Sequence, residues 1–179
     1  MPNAVTHDAI TIVTAAALAP VALNTPWPDM GLANAVVLTG AYLASGLLFS
    51  PDLDTRSTPY KRWGLFRWLW LPYRYLVPHR SWVSHSFFFG PLLRIVYLAA
   101  MLSIVTLIVF ALINLFSPID PSGTLLQVAN MIGRWLQDHP WTIAYILLGF
   151  VLGGASHTIA DLVWSGIKRR LKRQIRRLF

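Results

Sequence analysis

Cysteine is absent from this chain of 179 residues, and so is glutamate. The first absence excludes thiolate metal sites, disulfides and cysteine nucleophiles. The second leaves seven Asp as the whole acidic complement. Charge is scarce as well: 12% of residues are charged, where an ordinary soluble domain carries roughly twice that share. With 55% hydrophobic residues and a mean hydropathy of +0.53, the composition argues against a soluble enzyme. No internal repeat and no low-complexity segment is found.

The apolar residues lie in long runs separated by polar knots, the pattern of a polytopic membrane protein. The clearest runs are Leu32 to Phe49, Arg94 to Phe116 and Trp141 to Trp164. Ala9 to Leu23 is shorter and interrupted by Pro20. A signal peptide competes for that run, because Ala17-Leu18-Ala19 has the shape of a cleavage site. No Lys or Arg precedes it, however, so it is read as a helix. The expected fold is all-α: about four transmembrane helices in a bundle plus interfacial amphipathic helices, forming one membrane-embedded domain over residues 1–179.

The net charge of +8 is local. Six basic residues fall between Arg56 and Arg80 and seven between Lys168 and Arg177, whereas the loops near 25–31 and 117–140 hold Arg134 alone. By the positive-inside rule, both termini and the central loop are expected on the cytoplasmic side of the membrane.

Two stretches carry an apolar stripe at helical spacing. Leu125, Val128, Ala129, Ile132, Trp135 and Leu136 suggest an amphipathic helix on the far surface. In the basic tail, residues 166–179, Ile167, Leu171, Ile175 and Leu178 form a face suited to the anionic cytoplasmic leaflet. Membrane lipids are therefore the expected partner of this charge, and nucleic acid is not. Between Tyr60 and Val77 aromatics and Arg alternate too densely for a spanning helix, which predicts an interfacial or re-entrant element.

On this topology the ionisable residues collect. His7 and Asp8 start the first span, Asp52 and Asp54 follow the second, His79 and His85 precede the third, and His157 and Asp161 sit in the cytoplasmic half of the fourth. Helix bundles build sites in this way, from side chains of separate helices. Ionisable groups in or near a span are costly unless paired or functional. Imidazole and carboxylate suit zinc, with manganese and iron as alternatives. His157 and Asp161, four residues apart, share one helical face. Asp8 could instead be a first-turn acid, and Asp54 could pair with Arg56 or Arg80. Arg80 could orient a carboxylate, hold a lipid phosphate or offset transition-state charge. Asp29, Asp120, Asp138 and His139 fall on the opposite side and are expected outside the site.

The motifs His7-Asp8, Pro51-Asp52-Leu53-Asp54, Lys61-Arg62-Trp63-Gly64, Arg67 to Arg74, Pro78-His79-Arg80-Ser81, Ser84-His85-Ser86 and His157-x-x-x-Asp161 occur in this order. Over nearly its whole length the chain resembles a bacterial family of small uncharacterised metal-binding integral membrane proteins. More distantly it is similar to inner-membrane proteins classed as metal-dependent hydrolases. The resemblance implies metal binding at a membrane, with His7, Asp52, Asp54, His79, His85, His157 and Asp161 as ligands. Ser86 stands where many relatives have Gly, which adds a hydrogen-bonding group near His85. The basic tail is longer than is usual in the family.

Seven ligands exceed one tetrahedral ion, so either two ions share the site or some groups orient the others. A two-ion site suits phosphoester hydrolysis, with Asp54 or Asp8 as general base and Arg80 against developing charge. Its position points to a lipid-phosphate substrate. His157-x-x-x-Asp161 also resembles the pair of metal-free acid-phosphatase-type lipid phosphatases, but no multi-Arg phosphate signature precedes it. The non-enzyme alternative is a metal transporter, sensor or storage protein.

Overall fold

The computed structural model describes residues 3–78, 81, 84, 86–116 and 121–178, with the backbone alone at 121, 122, 172 and 175–178. All regular structure among them is helical. Asn3 Oδ1 accepts hydrogen bonds from the Thr6 amide and hydroxyl at 2.9 and 2.8 Å. This cap starts α1 (Ala4–Leu23) ahead of the apolar run, so that His7 and Asp8 belong to the helix itself. Pro20 falls in the last turn of α1 and does not end it. The Asn24 and Thr25 side chains then donate to the carbonyls of Pro20 and Val21.

Two helices form the most extensive interface, α2 (Leu32–Leu47) and α7 (Pro140–Leu178). Small residues let them approach. A Cβ on Gly149 would stand 2.5 Å from the Leu38 carbonyl oxygen, and one on Gly153 would collide with the Tyr42 carbonyl. Gly149-x-x-x-Gly153 is thus a close-packing face of the kind membrane helices use. Ser45 Oγ donates to the Phe150 carbonyl at 2.6 Å, and Thr142 Oγ1 to Asn34 Oδ1 at 2.9 Å, at two levels of the same interface. Helix α1 packs against both. The Thr14 and Tyr42 hydroxyls meet at 2.6 Å, and Gly46 admits the Thr11 side chain.

After α2 the chain turns sharply. A 3-10 turn (Pro51–Asp54), α3 (Thr58–Arg62), a second 3-10 turn (Gly64–Trp70) and α4 (Leu71–Leu76) follow closely. Gly64 joins the middle two with φ +54, a left-handed value that suits glycine. The aromatics of this block divide between buried and exposed positions. Tyr60, Trp70 and Tyr73 are buried with Phe49 and Leu53, against Trp63, Tyr97 and Phe150. Trp70 is fully enclosed and makes edge contacts with Phe49, Trp63 and Tyr73. Leu65, Phe66, Trp68, Tyr75 and Leu76 remain exposed. The division arises because turns of mixed geometry send neighbouring aromatics in opposite directions.

Helix α5 (Phe89–Phe116) starts where Ser86 Oγ accepts the amides of Phe89 and Gly90 at 2.7 and 3.3 Å. Ser86 therefore caps a helix. Beyond the buried Arg94, the rest of α5 is largely apolar and carries no buried residue, which suits contact with lipid. Helix α6 (Pro121–Asp138) leaves Val128, Ile132, Trp135 and Leu136 exposed. Helix α7 then runs without a break through Gly166 into the basic tail, so this segment continues the last helix.

Among the described residues three helices are long and apolar enough to cross a membrane: α1, α5 and residues Pro140–Leu171 of α7. The sequence suggests about four. At 16 residues, or about 24 Å, α2 is shorter than a bilayer core of about 30 Å.

Candidate metal centre

At one end of the α1–α2–α7 packing, the His7 and His157 rings stack with centroids 3.8 Å apart and planes 12° from parallel. Asp161, one turn beyond His157, points its carboxylate at both. His7 Nε2 lies 3.3 Å from Asp161 Oδ1, and His157 Nε2 lies 3.7 Å from Asp161 Oδ2. Asp52 comes from the turn after α2 and places Oδ2 3.5 Å from His157 Nε2. His7, His157 and Asp161 are all buried, and a ligand atom from each falls within 4.8 Å of the others.

Proximity here is not hydrogen bonding. Both nitrogens of His157, Nδ1 of His7 and both Asp161 oxygens are buried and make no hydrogen bond. Burying such groups unpaired costs on the order of 1–3 kcal/mol each, so a cluster of them calls for a partner. Two ligands about 2.1 Å from one tetrahedral ion stand roughly 3.4 Å apart. The 3.3, 3.5 and 3.7 Å separations bracket that value. Nitrogen and oxygen donors without sulfur also suit zinc, manganese or iron. The residues present thus fit a metal ion.

Backbone hydrogen bonds hold Asp52 in place. Its amide donates to Ser50 Oγ at 3.2 Å, and its carbonyl accepts from the Thr55 and Ser57 hydroxyls at 3.0 and 2.7 Å. A cavity of about 210 Å³ opens beside the cluster, lined by His7, Asp8, Asp52, His157, Ser57 and Thr58 among others. Asp8 is an ion-pair partner: Arg62 donates to both of its carboxylate oxygens, and to the Leu47 carbonyl at 3.0 Å.

Asp54, two residues beyond Asp52, is buried and is not among the residues whose ligand atoms cluster within 4.8 Å. Burial pushes the Tyr73 phenol up; Arg94 opposes this, and the Asp54 charge adds to the rise. His79, Arg80 and His85, expected as ligands and as an anion-neutralising group, lie outside the described residues, as does Asp120. On the other side, Asp29 accepts from the Asn34 amide group, and His139 stacks on Trp135 with centroids 5.0 Å apart.

Residues 2–171 match the family described as uncharacterized metal-binding protein (DUF2227). The chain belongs to this family. A protein of Aquifex aeolicus (strain VF5), itself called an uncharacterized protein, is 30% identical over 129 residues, covering 72% of this chain and 89% of that relative. No solved structure matches the chain. Family membership and the His/Asp cluster both speak for metal binding and leave the metal's identity open.

One residue of this DUF2227 protein carries no motif and still shapes the site. Arg94 is fully buried in α5 and donates to the Phe49 carbonyl at 2.8 Å and to the Ser84 carbonyl. It ties the end of α2, which leads into Asp52, to the loop before α5. Its signal in the sequence is a lone charge at the border of an apolar run, which is expensive unless used. The second unmarked feature is Gly149-x-x-x-Gly153, readable as a small-residue helix face.

Proposed function

We propose that this protein crosses a bacterial plasma membrane four times and holds its metal centre at the cytoplasmic face, where it hydrolyses a membrane phosphoester. The buried His7–His157–Asp161 cluster, with its unbonded nitrogens and oxygens, carries this reading. His7, His157, Asp161 and Asp52 hold the ion, with zinc the first choice for this donor set. Asp54, His79 and His85 complete the proposed ligand set, with room for one or two ions. When bound, such an ion polarises a phosphoryl oxygen and makes water more acidic.

The adjoining cavity supports a reaction over storage, since it brings Asp8, Ser57 and Thr58 beside the cluster. Water attacks phosphorus and gives a proton to a carboxylate, the P–O bond to the alcohol breaks, and the carboxylate returns the proton to the departing oxygen. Asp8 lines the cavity and suits that step; Asp54 is the second candidate. Arg62, already beside Asp8, and Arg80 offset the growing charge. Transport finds less support. Deeper in the bundle, the hydroxyls of Thr11 and Ser45 donate to the His7 and Phe150 carbonyls, so they are spent on backbone.

The arrangement of positive charge supports cytoplasmic termini, and the short α2 supports a fourth, thinner crossing completed by the buried Phe49 and Ser50. Metal-loaded protein in mild detergent should release phosphate or alcohol from a lipid phosphoester, and Asp8→Asn should slow turnover by roughly 10²-fold or more while keeping the metal. Bound metal without turnover of any lipid or soluble phosphoester would return the protein to the transport, sensing or storage class.

A further inference from the structure

We propose that a second cavity, of about 330 Å³ and lined by Arg56, Tyr60, Lys61, Arg67, Leu71 and Arg74, binds the phosphate headgroup of an anionic glycerophospholipid. This site is separate from the metal centre. It depends on the protein lying in a membrane, and not on hydrolysis.

Charge is the first observation. Four cations face one cavity, and among the described residues no carboxylate forms an ion pair with any of them. The neighbouring Arg62 shows the contrast, since Asp8 neutralises it. Arg74 is held in place by its guanidinium, whose carbon sits 4.8 Å over the Tyr60 ring, while its buried Nε makes no hydrogen bond. Cations kept close without a counter-ion repel each other, and an anion in the middle relieves that cost. Planar guanidinium groups match phosphate oxygens two at a time, which favours a phosphate over a simple halide. The volume lies at the low end of the roughly 300–1,000 Å³ of small-ligand pockets, enough for a headgroup but not for acyl chains.

The surroundings decide between a lipid and a free phosphate. Leu65 and Tyr75 are each 90% exposed, and Phe66, Trp68 and Leu76 are exposed beside them on the same short elements. Such side chains are stable next to acyl chains and headgroups, and poorly placed in water. A phosphate in this cavity therefore sits at the depth of lipid phosphates, with apolar contacts waiting for the chains attached to it.

The two cavities share a wall. Ser57, Thr58 and Pro59 face the metal centre, while Arg56, Tyr60 and Lys61, from the same short segment, face the basic cavity. A bound headgroup thus braces the segment that also supports Asp52 through Ser57.

Native mass spectrometry of the metal-loaded protein tests this, after exchange into detergent containing equal phosphatidylglycerol and phosphatidylcholine, with and without inorganic phosphate. The wild type should retain phosphatidylglycerol about tenfold over phosphatidylcholine, and Arg67→Gln with Arg74→Gln should lose that preference. Arg169→Gln with Arg170→Gln, in the tail, should retain it. Metal content checks the fold of each variant. If the first pair loses metal, Arg56→Gln with Lys61→Gln at exposed positions gives the same reading. His157→Ala should lose metal and still select phosphatidylglycerol, so failure of the metal centre and failure of the lipid site are told apart. Equal retention of the two lipids by the wild type, or an unchanged preference in the cavity variants, overturns the proposal. Tight inorganic phosphate binding without lipid preference also overturns it and leaves a soluble-phosphate site.

Discussion

The imidazoles of His7 and His157 lie face to face at 3.8 Å, although 150 residues separate them in the chain. Neither ring finds a hydrogen-bond partner for its Nδ1. A cation shared with Asp161 gives this pair a physical reason to exist, and the first prediction concerns its removal.

Elemental mass spectrometry of protein purified in mild detergent should find one or two equivalents of metal. His7→Ala, His157→Ala and Asp161→Asn should each lower metal affinity by at least about tenfold, as losing a ligand does at least as much harm as losing a group that orients one. Three variants that keep full metal content would sink the shared centre.

Arg94→Met should destabilise the protein by about 3 kcal/mol, because it strands the Phe49 and Ser84 carbonyls in a buried place. Arg94→Lys should recover part of this, since one ammonium cannot reproduce the spread of two guanidinium nitrogens. Thermal unfolding in detergent reads both, and a wild-type midpoint in Arg94→Met would show that the contacts carry no weight.

Gly153→Ala should cost roughly 1–3 kcal/mol and reduce metal content, because the new methyl collides with the Tyr42 carbonyl and parts α2 from α7. Gly40→Ala is the control: a Cβ there meets nothing within 4 Å, and a helical Gly replaced by Ala should be neutral or stabilising. Equal midpoints for both variants would contradict the close packing.

Breaking the Asp8–Arg62 pair has a smaller expected effect. Its side chains are 26% and 30% exposed, so Arg62→Gln should change stability by about 1 kcal/mol or less and leave the metal in place. Metal loss in Arg62→Gln would instead make this pair part of the centre.

The absence of cysteine gives orientation a clean assay. Gln127→Cys in α6 should react with a membrane-impermeant maleimide on intact cells, while Gln174→Cys at the end of α7 should react only after lysis. The reverse pattern would invert the topology.

Periodicity and composition made the helical class legible, since apolar runs of this length admit little else in a bilayer. His157 and Asp161 were readable as a pair because a helix sets residues four apart on one face. His7 was harder: the apolar run begins after it, and only the Asn3 cap draws it into α1. Nor does the basic block of the central loop reveal that Arg62 turns to Asp8 while Arg56, Lys61, Arg67 and Arg74 turn to a common cavity. Those partners depend on two 3-10 turns and on Gly64, whose directions no simple period encodes.

By itself the sequence determined an all-helical chain rich in membrane-compatible segments, its concentration of positive charge, and a sulfur-free supply of His and Asp. Local chemistry sets these properties: side-chain hydrophobicity, backbone hydrogen bonding and residue type act within a few positions. Which His meets which Asp was decided only by tertiary structure. The approach of α2 to α7 over Gly149 and Gly153 and the anchoring of Asp52 by Ser50, Thr55 and Ser57 act together to place the groups within ångströms. Ligand contact requires that precision, and it comes from packing among segments far apart in the chain.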